Sequence, residues 1–291
     1  MKIYVDGTFY GEGDACISVL DKGFRFGMGL RGRFICRGGK FFRLDEHIDW
    51  LKAVAEKNDV EFSWDIPELK ESMAATYDAN RFGKKTAAVE LILTAGAAEP
   101  SAKRSNRKSK NSVAPGSVVI LAEELSDTKA AVPIKLGHVD DQAISAMAIA
   151  EERSRLCRGE TLRVKRLAAA DGAVGGVVMG PGGAVCACSE GELFAVSDGR
   201  PWVADGSPAS FVKTVALELL EEIDYPCAIR PAKLRDMASA AECFVINDLF
   251  ELLPVSAIGK NSFGDGNIGS VTAAIGEALA KKIGGKLKDP F

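Results

Sequence analysis

The chain has 291 residues, 47% hydrophobic and 26% charged, with a formal net charge of −3. That is the balance of a folded protein with room for one large domain or two ordinary ones, and so small a charge argues against nucleic acid or an anionic membrane as partner, since both require a strongly basic face. The start MKIYVDGTFYGEG lacks the long apolar core of a signal peptide and no run reaches the ~18 apolar residues of a spanning helix, so a cytoplasmic protein whose partner is a small molecule or a second copy of itself is expected.

Short strand-like runs open the chain: KIYVDG, ACISVL, and RFICRGG leading into KFFRL through a Gly38–Gly39 hairpin turn. LDEHIDWLKAVAEKNDV then sets Ile48, Leu51, Val54 and Ala55 at helical spacing, with Asp45 as the expected N-cap. IPELKESMAATYDANRFG reads as a second helix and AAVELILTAG as a strand, so residues 1–115 form an expected α+β domain. The stretch 97–117 has almost no large apolar residue and carries Lys103, Arg104, Arg107, Lys108 and Lys110, the composition of a mobile linker. SVVILAEEL then opens an expected mixed α/β domain over 118–291, in which GGVVMG, ELFAVSDG and AECFVIND are strands. Its helices are expected in EERSRLCRGETLRVKRLAAA, ASFVKTVALELLEEI and TAAIGEALAKKI. The seven cysteines are odd in number and scattered, which favours reduced thiols. Cys186 and Cys188 make a CxC without a second ligand pair, so no metal is expected.

The block ACISVLDKGFRFGMGLRGRFICRGGKFFRLDEHIDWL resembles the opening of class IV aminotransferases, in which A-x-I-S-V-x-D-R-G-x-x-Y-G-D-G precedes a strand, a Gly turn and L-x-x-H-x-x-R-L. Ala15, Ser18, Asp21, Gly23, Gly27, Gly29, Leu44, His47 and Leu51 keep that pattern. The likeness continues at 183–196, 200–220 and 241–259, and Asn247, Leu249, Pro254 and Val255 are most similar to aminodeoxychorismate lyases. The resemblance implies the fold-type IV architecture of D-amino acid aminotransferases, a homodimer, and pyridoxal phosphate (PLP) chemistry.

That chemistry needs a lysine to form the Schiff base and move the proton. Ungapped spacing puts Ser154 in the lysine's place, at the start of a helix running toward Ala170, with Leu156, Arg158 and Glu160 still fitting a lyase-like K-x-L-N-R-x-E. The nearest lysine, Lys165, is eleven residues on, roughly 16 Å along a continuous helix at ~1.5 Å per residue. The carboxylate that should hold the pyridine nitrogen is replaced by Ala187 and the family's asparagine by Glu192, while Glu190 is expected to point to the opposite face by strand alternation. In the phosphate cup Trp50 replaces arginine, the helix start reads Phe211, Val212, Lys213 after Ser210, and the later turn carries Asn247, Asp248 and Leu249. His47 is read as a packing and hydrogen-bonding residue. The expectation is therefore a class IV aminotransferase-like pseudoenzyme with no cofactor, its old cleft open to another small ligand. The alternatives are an active PLP enzyme that uses Lys165 and a purely structural or regulatory dimer.

Overall fold

The computed structural model describes residues 1–58, 60–97, 116–125, 132–141, 143–206 and 209–284. The basic residues of the expected linker, Lys103 to Lys110, lie outside the described residues. The chain divides into Met1–Asp127 with Arg153–Cys157, and Thr128–Glu152 with Arg158–Phe291. Each unit is described by itself.

In the first unit β1 (Lys2–Val5) and β2 (Thr8–Gly11) form a hairpin, and α1 (Lys22–Phe26) follows. Asp21 caps α1: its carboxylate accepts from the Gly23 amide at 2.6 Å and from the Thr94 hydroxyl at 2.7 Å. β3 (Gly29–Arg37) and β4 (Lys40–Phe41) turn through Gly38 and Gly39 at φ 54° and 77°, the left-handed pair that the sequence predicts there. Two helices, α2 (Leu44–Lys57) and α3 (Ile66–Ala79), precede β5 (Thr86–Thr94) and β6 (Val118–Glu124). Asp45 is not the cap of α2; Arg43 holds that position in a left-handed conformation, and Asp45 sits in the first turn, where a carboxylate faces the positive end of the helix.

The six strands run in the order β2-β1-β6-β5-β3-β4, with every pairing antiparallel. Alternation along β3 and β5 sends Leu30, Phe34, Cys36, Val89, Leu91 and Leu93 into one core with Leu51, Met73 and Tyr77 of the two helices. Each such side chain contributes about 1.5–3 kcal/mol by leaving water. The strand at 118–124 was expected to open the second domain and instead completes this sheet. Ile120 and Ala122 belong to the same core, so the polar stretch before β6 joins two neighbouring antiparallel strands.

The second unit begins with β7 (Ile134–Val139), α4 (Ala146–Glu151) and α5 (Gly159–Ala169). Next come β8 (Gly175–Met179), β9 (Val185–Cys188), β10 (Glu192–Ser197), β11 (Arg200–Ala204) and α6 (Phe211–Glu222). It closes with β12 (Ala228–Arg230), α7 (Leu234–Ala238), β13 (Glu242–Ile246), β14 (Leu252–Ile258), β15 (Asn261–Ser262) and α8 (Ser270–Lys282). The sheet order is β12-β11-β10-β13-β14-β7-β8-β9 with β15 on β14, and the β7/β8, β7/β14 and β11/β12 pairs are parallel. The first unit is thus α+β and the second mixed α/β. Close packing of α5 on this sheet depends on Gly176, where an added Cβ would lie 2.7 Å from a Val164 methyl.

The single helix expected from Glu151 to Ala170 is broken. After α4 the chain crosses Arg153–Cys157, which pairs with β3 in the first unit, and only Gly159 restarts a helix. Among the described residues no helix is long and apolar enough to cross a membrane.

Candidate functional site

Ser154 lies on an extended segment, not at a helix start. The free edge of β3 takes it up: the Arg31 amide donates to the Ser154 carbonyl at 3.0 Å, the Leu156 amide donates to the Gly29 carbonyl at 3.1 Å, and Leu30 bridges Arg155. Backbone–backbone pairing of this kind depends little on which side chain is present, which lets position 154 carry a serine without loss of the local fold. The same unit contains Trp50 on α2, part-buried, with an indole N–H that has no hydrogen-bond partner among the described residues. His47 is buried with its ring 4.3 Å from that of Phe34, as a packing residue would be.

On the second unit Lys165 lies on α5, and its ammonium meets the Glu190 carboxylate at 3.0 Å. The Ser189 hydroxyl donates to the same carboxylate at 3.0 Å while accepting from the Gly176 amide at 3.0 Å. Strand alternation does not govern Glu190, because β9 ends at Cys188 and Glu190 sits in the turn that follows. Ala187 is 5% exposed and packs with Val139, Ile144, Ile149, Val164 and Val178. Its methyl therefore faces hydrocarbon from β7, β8, α4 and α5, a setting in which an ionised group is costly to bury.

The remaining positions expected in the phosphate cup lie on neighbouring elements of this unit. Glu192 opens β10 and pairs with Ile246, the residue before Asn247. Phe211 at the start of α6 meets Phe250 edge to face at 6.0 Å. Asn247 is committed to its own turn: its carbonyl oxygen accepts from the amides of Leu249 at 2.9 Å and Glu251 at 3.0 Å, and its amide donates to the Glu251 carboxylate at 2.8 Å. Asp248 stands in that turn, part-buried. Val212 is buried at the first turn of α6, and buried Lys213 draws down the Cys227 thiol, whose burial nonetheless pushes it up to about 12.

One feature of the second unit is not signalled by any motif. Each of its three longest helices begins against a glutamate carboxylate of the chain itself. Glu152, 6% exposed, accepts from the Glu160 amide at 3.0 Å, the Thr161 amide at 2.8 Å and the Thr161 hydroxyl at 2.7 Å at the head of α5. Glu242 accepts from the Val271 amide at 3.1 Å and the Thr272 amide at 2.7 Å at the head of α8. Glu192, 1% exposed, accepts from the hydroxyl of Ser210 at 2.7 Å, and that oxygen in turn accepts from the Lys213 amide at 3.0 Å at the head of α6. Helix starts attract anions through their unpaired amides and dipole, and here the protein supplies the anions. Among the described residues no group of three or more His, Cys, Asp or Glu is placed to hold a metal ion.

The sequence model of amino-transferase class IV matches residues 33–258. The chain belongs to the class IV aminotransferase family. A D-alanine aminotransferase of Listeria monocytogenes is 25% identical over 295 residues, spanning 97% of this chain and 96% of that one. The branched-chain aminotransferase of the thermophilic archaeon Thermoproteus uzoniensis, solved with norvaline, has a TM-score of 0.79 at 18% identity over 99% of this chain and 96% of that one. The branched-chain enzyme of Escherichia coli has a TM-score of 0.77 at 19% identity, covering 99% and 96%. The architecture is therefore fold-type IV.

PLP brought to the head of α6 would meet the buried Glu192 carboxylate. Its phosphate is a dianion, and two unit charges of like sign ~4 Å apart repel by about 4 kcal/mol at an effective dielectric of about 20. At the α6 start Glu192 already holds the Ser210 hydroxyl, and a neutral hydrogen bond of about 1 kcal/mol does not offset that repulsion.

Proposed function

We propose that this class IV aminotransferase has given up PLP chemistry and works as a cytoplasmic homodimer that holds a different small ligand in the old cleft. The observation that carries the reading is the buried Glu192 carboxylate bonded to Ser210 at the head of α6. Ser154 in the lysine's place and the hydrocarbon around Ala187 support it independently, since imine formation and ring protonation need other residue types. Lys165, the lysine an active enzyme would use, is engaged by Glu190 on its own helix–sheet layer. The homodimer is supported by an exposed apolar run in the first unit, with Val19 69%, Leu20 60%, Phe24 66% and Phe26 61% exposed. Titrating the purified protein with PLP tests the proposal: no saturation in the micromolar range and no shifted visible band are expected. Micromolar binding with a shifted band would restore the reading of an active enzyme through Lys165.

A further inference from the structure

The sheet of the second unit ends differently on its two sides. At β9 the Val185 amide donates to the Ala232 carbonyl at 2.9 Å and Ala184 bridges Lys233, so that edge is taken up by the residues that follow β12. At the other end β12 has β11 on one side and, among the described residues, no strand on the other. Its three residues are all exposed, Ile229 at 56%.

Register fixes what β12 offers to another chain. β11 and β12 run parallel, with Trp202 opposite Ala228, Val203 opposite Ile229 and Ala204 opposite Arg230. The Asp205 amide donates to the Arg230 carbonyl at 3.0 Å, so Arg230 turns its backbone groups toward β11. Successive residues of a strand direct those groups to opposite sides, so Ala228 also faces β11 while the N–H and C=O of Ile229 face the free edge. An open edge of this kind is a template for pairing with another chain, and an exposed β-branched residue favours it.

The flanking residues work against such pairing. The next position whose N–H would face outward is 231, a proline, which has none. Pro226 stands two residues before Ala228, on the side that faces β11, and stops the parallel ladder from starting earlier. Arg230 is exposed with its guanidinium carbon 4.0 Å from the centroid of the Trp202 ring, which sets a charge at the end of the sheet and covers the indole. The donor and acceptor of one residue do not offset the entropy lost in ordering an incoming strand.

We infer that Pro226, Arg230 and Pro231 guard the free edge of this sheet, so that Ile229 does not pair with β12 of a second copy. The inference is independent of the proposed function, since the apolar run offered for the dimer lies in the first unit.

Two measurements on the full chain test it. In the wild-type protein the Ile229 amide is expected to exchange with solvent deuterium about tenfold or more faster than the amides of Ala228 and Arg230. In sedimentation velocity, Pro226→Val, Arg230→Val and Pro231→Val combined should shift the protein to larger, concentration-dependent species that the wild type does not form. Adding Ile229→Pro should return it to the wild-type value, because that change removes only the outward N–H and leaves the bonds to β11 in place. Adhesion through an uncovered Trp202 would survive I229P and would overturn the inference. An Ile229 amide protected as well as its neighbours would overturn it too, as would a folded triple variant that sediments like the wild type. Should the triple variant fail to fold, Pro231→Val alone is read by the same criteria.

Discussion

At the scale of one side chain, the proposal turns on Ala187, the position where the resemblance implies a carboxylate. It is buried in a cluster with Val139, Ile144, Ile149, Val164 and Val178. Ala187→Glu is therefore expected to lower stability by more than ~2 kcal/mol, because it buries an uncompensated charge. Thermal unfolding at neutral pH checks this, and an unchanged melting temperature would mean that the position accommodates a carboxylate. Ser154, Ala187, Glu192 and Trp50 were singled out by the family resemblance, which did not foresee that Ser154 lies on an extended segment; His47 was read as a packing residue, and the structure sets it against Phe34. What spacing did not reveal was the use made of Glu192, Glu152 and Glu242, since a carboxylate at a helix head is a tertiary contact that no local pattern encodes. On β3 the alternation of LRGRF, charged residues between buried ones, was visible, but the sense of that alternation depends on which sheet face is covered.

At the scale of elements, α6 is the test piece. Ser210 caps the helix through the Lys213 amide and at the same time donates to buried Glu192. Ser210→Ala removes both bonds, and the lost cap of about 1 kcal/mol adds to about 1–2 kcal/mol for a carboxylate left short of a donor. A total loss of roughly 2–3 kcal/mol is expected in chemical denaturation, with Ser210→Thr recovering most of it. Were S210A as stable as the wild type, Glu192 would not depend on this contact. The hairpin at Gly38–Gly39 and most helices were readable from turn chemistry and periodicity. The break between α4 and α5 was not, because no glycine or proline interrupts Glu151–Arg158; that segment leaves the helix to pair with β3, and its partner lies more than a hundred residues earlier. Likewise β6 looked like the opening of a domain because a long polar stretch precedes it, although its pairing with β5 and β1 assigns it to the first sheet.

For the whole molecule, the family and fold are retained while, in the function proposed here, the cofactor chemistry is not. The exposed run that includes Val19, Phe24 and Phe26 belongs to an interface in the proposed dimer, so Phe24→Asp combined with Phe26→Asp should convert dimer to monomer in sedimentation velocity, whereas a wild-type monomer would refute it. The central claim, that a class IV aminotransferase fold persists here without a Schiff-base lysine, is tested most directly by incubating the purified protein with excess PLP, reducing with borohydride, and mapping adducts by mass spectrometry. No lysine is expected to carry a stoichiometric phosphopyridoxyl group, Lys165 included; a single, fully modified Lys165 would contradict the account.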